Sequence, residues 1–136
     1  MIARLVAAGL MLGSLAACAS TAPAPTPAAP SHRSALVQPC VNTADWAPWL
    51  LVDAWDDGEV YEPETRFRDD GVMVYAYDGN TYDNGKWTLE GSKLHFDTNN
   101  HYADYDGVFD GVRASGTMKN VDGNGGTWTL TRDCSE

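Results

Sequence analysis

The side chains of this 136-residue sequence that could do chemistry are three cysteines, three histidines, a few serines and 19 acids. Catalysis by nucleophile and base needs such groups within hydrogen-bond reach of one another. His95 falls on an outward face of an alternating run and His101 lies beside a turn, so both read as exposed side chains. Ser92, Ser115 and Ser135 sit in no nucleophile-elbow pattern. With so many acids some pair must approach by chance, so their number does not define a carboxylate dyad. Calcium is suggested by Asp78-Gly79-Asn80 and by Asp104-Tyr105-Asp106-Gly107. An EF-hand loop needs an oxygen at its fifth position, where these stretches have Tyr82 and Val108, so turn chemistry is the simpler reading of both. No His or Cys stands at ligand spacing from Cys40 or Cys134. The expectation is a protein without catalytic residues, metal or cofactor.

The cysteines instead divide the chain. Cys18 follows Leu15-Ala16-Ala17, after a lead whose only charge is Arg4 and whose apolar run, Leu5 to Leu12, is too short to span a bilayer. This resembles the lipobox of bacterial lipoproteins. The resemblance implies that residues 1–17 are a signal peptide, that Cys18 carries the lipid, and that the protein is held at a membrane outside the cytoplasm. Ala19 stands where that family's inner-membrane retention signal has aspartate, which implies the outer membrane, with the domain in the periplasm or at the cell surface. Residues 18–38, rich in Ala and Pro, then form anchor and flexible linker, with Pro23, Pro25, Pro27 and Pro30 favouring extended conformers. His32 and Arg33 read as solvated parts of this spacer. Residues 39–136 form one domain, and in an oxidising compartment Cys40 and Cys134, at its two ends, would pair as a disulfide.

All 19 acids, but only seven of the nine basic residues, lie from Ala35 onward. So acidic a surface repels nucleic acid and anionic headgroups, and it suits basic proteins or cations.

The elements that must carry these residues are short alternating runs parted by Gly, Asn and Asp. Asp45-Trp46-Ala47-Pro48 could cap a helical turn, and Leu50 to Trp55 reads best as a buried first strand. From Tyr61 on, runs end at Asp70-Gly71, Asp78-Gly79, Asn84-Gly85, Glu90-Gly91, Asn99-Asn100, Asp110-Gly111 and Asp122-Gly123, pairs that suit tight hairpin turns. Trp87 and Leu89 point one way, as do Leu94 and Phe96, then Val112, Ala114 and Met118, then Trp128 and Leu130. One dry face per strand implies a sheet closed on itself or packed on another. The expected fold is all-β, an antiparallel up-and-down meander of about eight strands closed as a small barrel.

Gly85-Lys86-Trp87-Thr88-Leu89 and Gly126-Thr127-Trp128-Thr129-Leu130 echo each other. Together with Asp53-Ala54-Trp55, and with Phe67 before Asp70-Gly71, they make residues 50–132 resemble lipocalin-like and avidin-like (calycin-like) barrels, with Asp53 where the lipocalin first strand has Gly. The resemblance implies a fold and a ligand cup. All 14 aromatic residues fall between Trp46 and Trp128. Trp55, Trp87, Trp128, Tyr75 and Tyr105 are the candidates to line a cavity for a small apolar or sugar-like ligand; the alternative is that large rings simply fill a small core. The expected function is a non-catalytic binding module for a small ligand or envelope partner. An inhibitor of a basic enzyme such as lysozyme is the second reading, although Ser115-Gly116 is followed by Thr117, Met118 and Lys119 rather than that family's Ser-Gly-x-x-Tyr. A structural envelope component is the third.

Overall fold

Apolar side chains at every second position turn the chain into a sheet that closes on itself. The computed structural model describes residues 32–37 and 49–132. Cys18, Cys40, Cys134 and the Asp45–Pro48 stretch lie outside the described residues, as does nearly all of the expected signal peptide and linker. The elements are α1 (His32–Val37), β1 (Trp49–Trp55), β2 (Val60–Tyr61), β3 (Glu64–Phe67), β4 (Val72–Tyr77), β5 (Asn80–Glu90), β6 (Lys93–Thr98), β7 (Ala103–Phe109), β8 (Arg113–Asn120) and β9 (Gly125–Arg132). Each strand from β3 onward pairs antiparallel with the next, and β9 returns to β1 along its whole length, from Trp49↔Arg132 to Trp55↔Gly126. β2 and β3 both pair with β1, on either side of Glu62-Pro63. Pro63 has no N–H to give to the ladder but accepts from Leu51 N at 3.1 Å, so the two pieces act as one interrupted strand. The result is an eight-stranded up-and-down barrel, as the alternation implied.

Turn chemistry sets the hairpins. Asp78 and Gly79 both take positive φ, 49° and 73°, between the paired residues Tyr77 and Asn80. This is the two-residue loop whose twist matches that of its strands. Two expected turns are strand instead. Asn84-Gly85 lies inside β5, where the register against β4 shifts between Met73 and Tyr75. The pair marks a β-bulge, and glycine is needed there because a Cβ on Gly85 would strike the Asp97 carbonyl. Asp104 to Gly107 is likewise the middle of β7, paired from Asp104↔Lys119 to Gly107↔Gly116, so turn chemistry does not explain those residues. Val112, expected to face inward, sits in the β7–β8 turn and is 66% exposed.

The interior is filled from one end. Trp49, Leu51, Phe67, Trp87, Leu94, Phe96, Phe109, Trp128 and Leu130 are buried together, with Phe67 edge-on to both Trp87 and Phe96. Space for the Trp128 ring comes from glycine. Gly107 and Gly116 face each other across β7 and β8, and a Cβ on Gly107 would strike the ring and the Ser115 carbonyl. A Cβ on Gly116 would strike the Asp106 carbonyl and the Gly107 Cα.

Helix α1 seals this end. Leu36 is fully buried in the core cluster, and its carbonyl accepts from Trp49 Nε1 at 2.8 Å. Arg33 lies 4.4 Å over the Trp87 ring and donates to the Asp69 carbonyl, and His32 meets Phe109 edge-on. Arg132 from β9 covers the Trp49 ring and donates to the Ala35 carbonyl. His32 and Arg33 are exposed, as read, but they belong to a helix and pack on rings rather than standing free in a spacer. Residues 32–37 of the stretch expected as linker are a packed plug, because Leu36 gains a dry site and Arg33 and Arg132 gain ring faces.

Candidate functional site

At the opposite end β1, β4, β6 and β8 run out into loops, and a cavity of about 440 Å³ opens between them. Its floor is made by inward side chains of β1 and β7. Asp53 follows Trp49 and Leu51 in the inward alternation of β1 and is only 5% exposed. Its Oδ2 accepts a hydrogen bond from the Tyr105 hydroxyl at 3.0 Å, while its Oδ1 has no hydrogen-bond partner among the described residues. Burial pushes the Asp53 carboxyl up from 3.8 to about 7, against the smaller opposing effect of the Tyr105 hydrogen bond. Tyr105 in turn stacks on Phe96 with ring centroids 4.4 Å apart, so the carboxyl rests on an aromatic layer. Burial, and then the neighbouring Asp53 charge, raise the Tyr105 phenol well above its ordinary value.

The walls are tyrosine. Tyr75 and Tyr82, cross-strand neighbours on β4 and β5, stack at 5.3 Å. The bulge in β5 lets Asn84 reach the wall, where its Oδ1 accepts from the Tyr75 hydroxyl at 3.0 Å. That hydroxyl also accepts from Asn99 N at 3.1 Å. The β6–β7 loop that supplies Asn99 holds three successive non-glycine residues at positive φ: Asn99 at 50°, Asn100 at 54° and His101 at 66°. Asn tolerates that region better than most residues, and the buried Asp97 ties the loop down by accepting from His101 N. On the far wall Tyr61 meets Tyr77 edge-on at 5.4 Å, and the Tyr61 hydroxyl donates to Glu59. At the rim the Tyr102 hydroxyl donates to Asp122, and Asn124 Nδ2 donates to Asp57 Oδ2 at 2.7 Å.

Of the five residues expected to line a cavity, Trp55, Tyr75 and Tyr105 border this one. Trp87 and Trp128 do not. Both are core rings near the plugged end and the middle of the barrel, with indole N–H groups bonded to the carbonyls of Arg68 at 2.8 Å and Thr117 at 3.0 Å. The sequence reading missed Asp53 as a floor residue, treating it as a departure from a lipocalin pattern. Its signal was present: an acid on the inward phase of a strand otherwise marked by Trp49, Leu51 and Trp55. Tyr61 and Tyr82 gave no comparable signal, because each lies beside a break in the alternation. His95 and His101 stand outside the cavity. His95 Nδ1 lies 2.9 Å from Asp106 Oδ1, and His101 Nδ1 lies near Asp97 and Asp104.

Among the described residues, the cavity lining carries Asp53, Asp57 and Glu59 but no Lys, Arg, His, Ser or Cys. Such a surface offers ring faces, acceptors and negative charge.

No family model matches this chain. Comparison with the curated proteins likewise gives no match. Among solved structures, one described as a redesigned beta barrel is similar at a TM-score of 0.47 and 18% identity, over 74% of this chain and 96% of that one.

Proposed function

We propose that this protein is a non-catalytic binding module that takes a small ligand into the open end of its barrel and works while tethered at the outer membrane through a lipid on Cys18. The observation that carries the ligand reading is the asymmetry of the interior. One end is filled and plugged by α1, while the other keeps a cavity of about 440 Å³ with a buried, incompletely bonded carboxyl at its base. A chain that needed only stability would close both ends alike, since a partly bonded buried carboxyl costs folding free energy. The volume falls within the range of small-molecule sites, about 300–1,000 Å³.

Native mass spectrometry of the protein purified from the envelope of the cells that make it tests this reading. The expected spectrum shows a non-covalent adduct of small-molecule mass, which is lost when Ala103 at the cavity wall is replaced by Trp. An adduct-free wild-type spectrum, or an adduct that survives Ala103→Trp, contradicts it.

A further inference from the structure

The chemistry of the cup narrows what it can hold. Its acids are Asp53 on the floor and Asp57 and Glu59 toward the rim, and no basic side chain joins them in the lining. Where Asp53 is ionised, above about pH 7, an anionic ligand entering here meets like charge on the floor and at the rim, with no counter-charge to offset the loss of its hydration. Four of the six tyrosine hydroxyls in the lining are also committed. The hydroxyls of Tyr105, Tyr75, Tyr61 and Tyr102 donate to Asp53, Asn84, Glu59 and Asp122 respectively. What these tyrosines leave facing the ligand is the π surface of their rings, the part of an aromatic side chain that attracts cations.

Asp53 supplies the second, independent requirement. It is 95% buried by its 5% exposure, and it lines the cavity with one carboxyl oxygen lacking a partner among the described residues. A hydrogen-bond donor carrying positive charge satisfies both the missing bond and the burial of the charge. Charge-assisted bonds of this kind are the strong ones.

We propose that the cup takes an organic cation, a flat apolar body held between the tyrosine rings with a primary or secondary ammonium group whose N–H reaches the Asp53 carboxyl. This rests on the cup being the ligand site and adds the class of ligand. Trp55 at the rim and the stacked pair Tyr75–Tyr82 flank the apolar body. Asp57 and Glu59 at the loop between β1 and β2 draw the cation in. The cavity is large enough for a two-ring amine and too small for a peptide helix or a sugar chain of several units.

Isothermal titration of the full-length protein with tryptamine, tryptophol and indole-3-acetate compares the head groups, because the three share an indole with a two-carbon side chain that ends in ammonium, hydroxyl or carboxylate. The expected order is tryptamine binding at least about tenfold more tightly than tryptophol, with indole-3-acetate weakest. Asp53→Asn keeps an acceptor for the Tyr105 hydroxyl and is expected to bring tryptamine down to the affinity of tryptophol while leaving tryptophol within about threefold. The comparison among the three compounds in the wild-type protein stands whether or not that variant folds. Tryptophol or indole-3-acetate binding as tightly as tryptamine, or an ammonium preference that persists in a folded Asp53→Asn protein, overturns the cation assignment and leaves the cup as a ligand site. Failure of all three to bind at millimolar concentration overturns the assignment and counts against the cup reading with it.

Discussion

Asp53 is the residue on which the molecule is least content with itself. Its carboxyl lies buried on the inward phase of β1, and one tyrosine hydroxyl donates to one of its two oxygens. Burial raises its carboxyl from 3.8 to about 7, so between those values the folded protein holds a proton that the unfolded chain has released. The resulting stability is complete below the unfolded value near 4 and is lost as pH rises through about 7. The full difference is no more than about 4 kcal/mol. Asp53→Asn abolishes this dependence. Urea denaturation is expected to find the variant more stable than wild type by about 2–4 kcal/mol at pH 8, with the gap closing near pH 4. A gap of the same size at both values would mean that Asp53 does not titrate as its burial requires. The residue was legible in part. Its alternation with Trp49 and Leu51 could be read, but its partner Tyr105 lies 52 positions away, and only closure of the barrel brings the two together.

At the level of elements, local and non-local signals separate. Asp78-Gly79 could be read as a turn because its chemistry is contained in two residues with positive φ. Asn84-Gly85 has similar residue types but neither takes positive φ, and it became a bulge as β5 continues past it to keep pairing with β6. Helix α1 was not legible at all. Its six residues are too few to show a helical period, and it exists because Leu36 finds a site among Trp49 and Phe109 at the barrel end. The repeated Gly-x-Trp opening did have structural meaning, though not the expected one. It marks inward tryptophans that pack within the core, not rings that face a ligand. The close approach of β7 and β8 beside Trp128 is the most sensitive of these arrangements. Gly116→Ala places a methyl group against the Asp106 carbonyl, where backbone rather than a flexible side chain must move. It is expected to cost at least about 2–3 kcal/mol, read as a lowered thermal midpoint, whereas Gly79→Ala at the solvent-exposed hairpin tip should cost about 1 kcal/mol. Equal losses at the two sites would show that close packing at Gly116 is not limiting.

On the scale of the whole molecule, the barrel has two unlike ends. The strands alone would leave both open. α1 fills one with Leu36 and lays Arg33 over Trp87, while the other keeps its tyrosines, its strained Asn99–His101 loop and its acids around an open mouth. The polarity follows from the chain. α1 packs beside Trp49 at the start of β1, and the cup lies where β1 ends. It also suits the proposed tether, because His32, the described residue nearest to Cys18 in the sequence, packs on Phe109 at the plugged end.

The direct test of this account is to map where ligand binds. Amide chemical shifts of the protein, titrated with tryptamine, are expected to change at Asp53, Tyr75, Tyr82 and Tyr105 and in the Asn99–His101 loop, while Leu36, Phe109 and Leu130 at the plugged end stay still. Shifts confined to the outer face of the barrel or to the α1 end, or no shifts at all, would contradict the cup.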